Sequence, residues 1–359
     1  MKNLYLNKFH SQSGANFAPI ENYKIPTDYG NVEDELFAIN NKVALLDRSY
    51  LGKSRMIGKD SLDLLDRITT NDLQYLSIGT VCDTVFVTPK GRIIDWCRIL
   101  NSGESEYILI GSSYNSKKLV EWVNRFIILE DTKISDITDK YTWLTLIGPH
   151  CKLFLSEYSE TPISNADEAI WLNYEGMIFP AFKNTNFLVP AYNFCFEHKF
   201  ADKIFNSFLK TLTDLNGKLI GDTAFQITRI ESGMPEGASE INMDYNPHEA
   251  RLINSVSFTK GCYTGQEVIA RLDTYDKVQK YLMIIDLFER IENDPPLEVY
   301  IEDDLIGYLT SHAFNPATGN FVGLGYVKKM YTGENNIYVE ISTPDKRIPA
   351  KLRKPPQAY

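Results

Sequence analysis

A chain of 359 residues with 43% hydrophobic and 23% charged residues has the composition of an ordinary globular protein, with length for two or three domains at roughly 100–200 residues each. Its 37 Lys and Arg against 47 Asp and Glu leave a formal net charge of −10. Without a basic run it lacks the means to neutralise a duplex phosphate backbone, so no nucleic-acid partner is expected. No apolar stretch approaches the roughly 20 residues of a membrane-spanning helix, and the start, MKNLYLNKFHSQSG, is too polar for a secretory leader, so the chain reads as cytoplasmic with no membrane partner.

Leu62, Leu65 and Ile68 are spaced for a short helix, closed by the turn-like Thr70-Asn71-Asp72. Pro89 to Trp96 reads as a glycine turn entering a buried strand. Tyr107 to Ile110 predicts another strand. Asn115 or Ser116 is placed to cap a helix whose apolar face is Leu119, Trp122, Val123 and Phe126. Strands follow at Thr142 to Ile147 and Met177 to Phe182, then a helix through Ile204, Phe205, Phe208, Leu209 and Leu212. From Gly221 to Pro235 the capping-box pair Thr223 and Gln226, with Gly233 and Pro235 as stops, predicts a short helix. After about Lys280 the texture changes to alternation, in YLMIIDL, LEVYI, LIGYLT and NNIYVEIS. This predicts a separate all-β module, sandwich or barrel, with a boundary between Arg271 and Lys280, dividing the chain into residues 1–275 and 276–359.

The five cysteines are odd in number and scattered, so neither a disulfide framework nor a zinc site is expected, and most should be small core residues. The five histidines form no close pair, so no metal site is expected; His198 reads as a surface residue. The densest functional segment is Lys260-Gly261-Cys262-Tyr263-Thr264-Gly265-Gln266-Glu267, running on to Arg271. Glycines around a cysteine allow a tight turn whose N–H groups form a nest, and with Lys260 nearby they would lower the thiol pKa; the alternative is a glycine turn with a buried cysteine and a solvated Lys260. Asp95, beside Trp96 in an apolar strand, needs a partner or a purpose, either a functional one or an ion pair with Arg92 or Arg98. Arg229 and Glu231 lie about 200° apart on a regular helix, so they should not both face one ligand.

Together these segments resemble the folate-binding aminomethyltransferase superfamily, that of glycine-cleavage T-protein and its YgfZ-type relatives. The resemblance is carried by Gly14 to Pro19, Ala44 to Ser49, Ile68 to Leu73, Lys90 to Asp95, Arg229 to Pro235, Gly307 to Ser311 and Gly323 to Val327. KGCYTGQEVIAR is similar to the YgfZ signature. Three segments depart from the T-protein pattern: Asp95-Trp96 replaces an Asp-Asp pair, Phe182 to Phe187 replaces Tyr-Thr-Gly-Glu-Asp-Gly, and Asp47-Arg48-Ser49-Tyr50 ends in Tyr in place of His.

The resemblance implies an α+β fold, a three-module cloverleaf around a central folate cavity, with a C-terminal antiparallel β-barrel. It implies tetrahydrofolate as cofactor, with reduced folate and iron–sulfur client proteins as partners; the sequence leaves the oligomeric state open, a monomer being favoured. Cys262 and Asp95 are the candidate catalytic residues. Asp95, Arg229, Glu231, Lys260, Tyr263, Gln266 and Glu267 are the candidates for binding folate: Asp95 near N5/N10, Glu231 in place of the missing pterin carboxylate, Arg229 for the glutamate tail. The expected function is support of iron–sulfur cluster assembly or repair. The alternatives are a one-carbon (aminomethyl) transferase and a folate-binding module with neither activity.

Overall fold

Phe205 and Phe208 on the helix His198–Asp214 meet Phe9, Phe154, Tyr158 and Phe194 at ring-centroid distances of 5.0–5.5 Å. The apolar stripe read from the sequence is thus the face this helix buries. It lies against a six-stranded sheet of order Ala169–Tyr174, Met177–Lys183, Ala191–Glu197, Tyr141–Ile147, Ala44–Asp47, Lys218–Leu219. All its pairings are antiparallel except the last. Leu144, Leu146, Phe194 and Phe196 share the helix-side core, while Trp143, Phe182 and Cys195, one residue out of phase, belong to a second core with Leu100, Ile108 and Ile110. Both faces are buried, which is why these strands read as continuous apolar runs.

The computed structural model describes residues 1–164, 169–333 and 336–356. Backbone contacts divide the chain into two compact units, the first of residues 1–64, 73–82 and 97–225, the second of 65–72, 83–96 and 226 onward. The predicted helices appear at Ser61–Ile68, Ser116–Asn124 and His198–Asp214, and the strands at Glu106–Gly111, Tyr141–Ile147 and Met177–Lys183. The helix predicted after Gly221 runs Asp222–Ser232, so Thr223 lies inside its first turn rather than at the cap. The entry is fixed from outside the segment, by Glu35 Oε2 accepting the Gly221 N–H at 2.9 Å.

In the second unit the alternating segments close into a six-stranded antiparallel barrel, in the order Lys280–Leu287, Asn320–Lys328, Asp304–Asn315, Leu297–Ile301, Ile337–Ser342, Arg347–Arg353. Asn335, in the stretch NNIYVEIS, lies outside the described residues. Met283, Ile285, Leu309, Val327, Ile341 and Leu352 fill the barrel. The intervening Leu282, Ile284, Leu324 and Tyr326 join an outer core with Val85, Val87, Ile93, Ile230, Tyr245, Tyr263 and Ile269. The barrel is therefore one part of a larger unit that also contains the Pro89–Trp96 hairpin and the Cys262 segment. Each such aliphatic side chain contributes about 1.5–3 kcal/mol on burial.

Candidate functional site

Residues Asp66 to Asp72, which include the Thr70-Asn71-Asp72 turn, lie in the second unit with the motif segments Lys90 to Asp95 and Lys260 to Arg271. The hairpin turn is set by the Thr88 N–H to Arg92 O bond at 2.8 Å, with Gly91 at φ +68°. Against it starts the helix Gln266–Thr274, whose N-cap is Gly265 at φ +81°. A Cβ on Gly265 would stand 2.7 Å from Thr88 O, and one on Gly91 would stand 3.2 Å from Val268 Cγ1. Two glycines, each left-handed, thus let the hairpin and the helix start approach closely, Gly265 against the Thr88 backbone and Gly91 against the Val268 side chain.

Cys262 sits just before this helix, and each neighbour has a holding role. Tyr263 is buried in the outer core, and Gln266 Nε2 donates to Gly261 O at 3.4 Å. Thr264 N–H donates to Arg67 O at 3.1 Å. Glu267 forms an exposed pair with Arg271 at 2.6 Å. The Lys260 side chain, 1% exposed, turns inward to Asp66, Thr69 and Asn71. The sequence placed the Lys260 charge beside the Cys262 thiol; in the structure the ammonium is taken up by Asp66. Cys262 is exposed, Cys97, Cys151 and Cys195 are buried, and Cys82 is half-buried rather than in the core.

Asp95 is fully buried, and its Oδ1 accepts the Trp96 N–H at 2.9 Å. Arg92 pairs with Glu249 at 3.4 Å and donates to Asp244 O, while Arg98 Nη2 donates to Asn184 Oδ1 at 3.4 Å. Trp96 Nε1 donates to Ser255 Oγ at 3.0 Å, on the opposite face of the strand from Asp95.

Arg229 and Glu231 both reach the barrel strand Asp304–Asn315, at different points. Arg229 pairs with Glu240 at 2.9 Å and donates to Gln226 Oε1, Met234 O and Ser311 Oγ. Glu240, fully buried, also accepts from Thr310 and Ser311. Glu231 accepts from Asn315 Nδ2 at 2.7 Å. The guanidinium proposed for an anionic tail thus lies inside the fold, matched by a buried carboxylate.

The first unit carries its own buried polar groups. Asp47 accepts from His10 Nε2 at 2.9 Å and from the Ser49 N–H, and Tyr29 Oη meets His10 Nδ1 at 2.8 Å. Burial alone would raise the Asp47 pKa, but the bonds and charge of His10 and the bonds from Ser49 hold it below the usual carboxylate range. His198 is half-buried and stacked on Tyr5 at 4.3 Å rather than free on the surface. Its pKa is lowered, chiefly by burial.

Phe182 to Phe187 is a strand end and an Asn turn: Asn184 N–H bonds Ala191 O and Asn184 Oδ1 accepts the Asn186 N–H. On the neighbouring strand Thr145 Oγ1 donates to Asn193 Oδ1 at 2.8 Å, while the buried Asn193 Nδ2 meets no hydrogen-bond partner among the described residues. Sequence reading missed Asn193 because a lone Asn in an apolar strand gives no motif. Among the described residues, no cluster of three or more His, Cys, Asp or Glu could hold a metal ion.

Residues 6–260 match the GCVT N-terminal domain and residues 293–357 the glycine cleavage T-protein C-terminal barrel domain. A chloroplastic protein of Arabidopsis thaliana, named as a transferase only provisionally, is 29% identical over 86% of this chain and 70% of its own length. The aminomethyltransferase of Thermotoga maritima is 23% identical over 92% of this chain and 90% of its own. The crystal structure of the glycine cleavage system aminomethyltransferase T of Bartonella henselae superposes with a TM-score of 0.84 at 18% identity, covering 98% of this chain and 97% of that one, and so shares the fold. By its sequence match over both domains and by this fold, the chain belongs to the glycine cleavage T-protein (aminomethyltransferase) superfamily.

Proposed function

We propose that this protein binds a reduced folate of the tetrahydrofolate class and contributes the Cys262 thiol in support of iron–sulfur enzymes, as its YgfZ-like signature implies. The observation that carries this reading is the presentation of Cys262: an exposed cysteine on a loop fixed by the inward Lys260, the buried Tyr263 and the left-handed Gly265. An exposed thiol is open to exchange, oxidation or transient metal work, chemistry closed to buried ones. Iodoacetamide followed by peptide mass spectrometry should label Cys262 at least about tenfold faster than Cys97, Cys151 or Cys195. Equal rates would remove the reactive thiol from the account.

The residues present fit a folate at one decisive point. A flat pterin offers an edge of donors and acceptors, and Asn193 holds a buried amide donor with no partner among the described residues, which costs about 1–3 kcal/mol unless something bonds it. Asn193 would take that edge, and a bound folate would supply one-carbon carriage. Asn193→Leu should weaken tetrahydrofolate binding at least about tenfold while changing the melting temperature little, because the orphan Nδ2 donor goes as the Thr145 hydroxyl loses its Asn193 Oδ1 acceptor. A loss of stability at full affinity would make Asn193 structural only.

A second reading, one-carbon transfer, is favoured by aminomethyltransferase relatives that are 23–24% identical over 92–99% of this chain. Cys262→Ala separates the two. In the first reading, cells carrying only this variant lose iron–sulfur enzyme activity while the purified protein keeps its folate affinity within about twofold. In the second, both are retained and an aminomethyl-transfer assay is positive.

A further inference from the structure

The Lys260 ammonium has four oxygens around it: Asp66 O at 2.6 Å, Asn71 O at 2.6 Å, Asp66 Oδ1 at 2.8 Å and Thr69 O at 3.3 Å. Three are backbone carbonyls and one is a carboxylate, and the side chain is 1% exposed. An ammonium has only three protons to share among them, so the group is held as a charge in a cage more than as a directional donor. Rings of carbonyls substitute for the hydration shell of a monovalent cation in the same manner.

The cage is formed by the last turn of the helix Ser61–Ile68 and the turn that follows it, and three bonds tie these to the segment bearing Lys260. Ser257 N–H donates to Thr70 O at 2.9 Å, Thr264 N–H to Arg67 O at 3.1 Å, and Thr70 Oγ1 to Ser255 O at 2.6 Å. The carbonyls of residues 66, 69 and 71 converge on one point, and without a cation there they would repel one another.

We infer that Lys260 is a tethered monovalent cation, a positioning residue that locks the Asp66–Asp72 turn to the Cys262 loop and meets no ligand itself. Removing the tether leaves a site for an ion of ammonium or potassium size. This is independent of whether the protein binds folate.

The test is Lys260→Ala studied in about 200 mM lithium, tetramethylammonium, potassium or ammonium chloride. Amide hydrogen exchange is followed in peptides covering residues 64–73 and 255–266. In lithium or tetramethylammonium both peptides should exchange at least tenfold faster than in wild type. Potassium or ammonium should restore slow exchange in both together, and neither salt should alter wild type. A merely structural lysine would leave exchange insensitive to cation identity, and that result overturns the inference, as does wild-type protection of the variant in every salt. If the variant does not fold unaided, its refolding yield replaces exchange: ammonium must raise it above tetramethylammonium, and equal yields overturn the inference.

Discussion

Arg229→Met is expected to cost about 3–5 kcal/mol of stability in urea unfolding, the penalty for leaving a buried carboxylate without its counter-ion. The Arg229 and Glu240 side chains are 6% and 0% exposed and stand 2.9 Å apart. Glu240 also accepts from Thr310, Ser311 and the Glu236 N–H, so the whole cluster is built round the guanidinium. Adding Glu240→Gln should restore a substantial part of the loss, because the uncompensated charge goes while the hydrogen-bonding amide stays. A guanidinium serving only a ligand would lose affinity and less than about 1 kcal/mol of stability. A small stability change in the single variant would therefore return Arg229 to the list of ligand contacts.

Lys53 is expected to make stability climb with pH. Its side chain is fully buried and its Nζ donates to two carbonyls, Ser49 O at 2.7 Å and Leu51 O at 2.8 Å. Burial pushes its pKa down from 10.5 to about 8, with the charges of Asp47, Asp136 and Asp139 working the other way. The folded value lies below the unfolded one, so between them the unfolded chain binds more protons and stability rises with pH. The charged form is penalised fully below pH 8, and the penalty fades as pH approaches 10.5. Measured against Lys53→Met, wild type should gain about 2 kcal/mol between pH 7 and pH 10. A difference that stays flat over that range would show that the amine is solvated or paired in the folded state.

The barrel and the long helix were legible because their signals are local: period two after residue 280, and an apolar stripe at helical spacing through Phe205 and Phe208. The superfamily was legible in its motif order. What escaped was set by partners far away in sequence. Lys260 is two residues from Cys262, yet its charge belongs to Asp66, 194 residues earlier. The i, i+2 argument sets Arg229 and Glu231 about 200° apart on a regular helix. It could not show that Ser311 and Asn315, about 13 Å apart along one strand, would receive both. Lys53 and Asn193 carry no motif, since only burial makes a lone polar side chain informative.

The most direct measurement is calorimetric titration of the purified protein with tetrahydrofolate under anaerobic conditions, with Asn193→Leu and Cys262→Ala in parallel. Saturable binding at one site per chain is predicted for wild type, at least about tenfold weaker for Asn193→Leu and within about twofold of wild type for Cys262→Ala. No binding by folded wild-type protein at millimolar ligand would contradict the account.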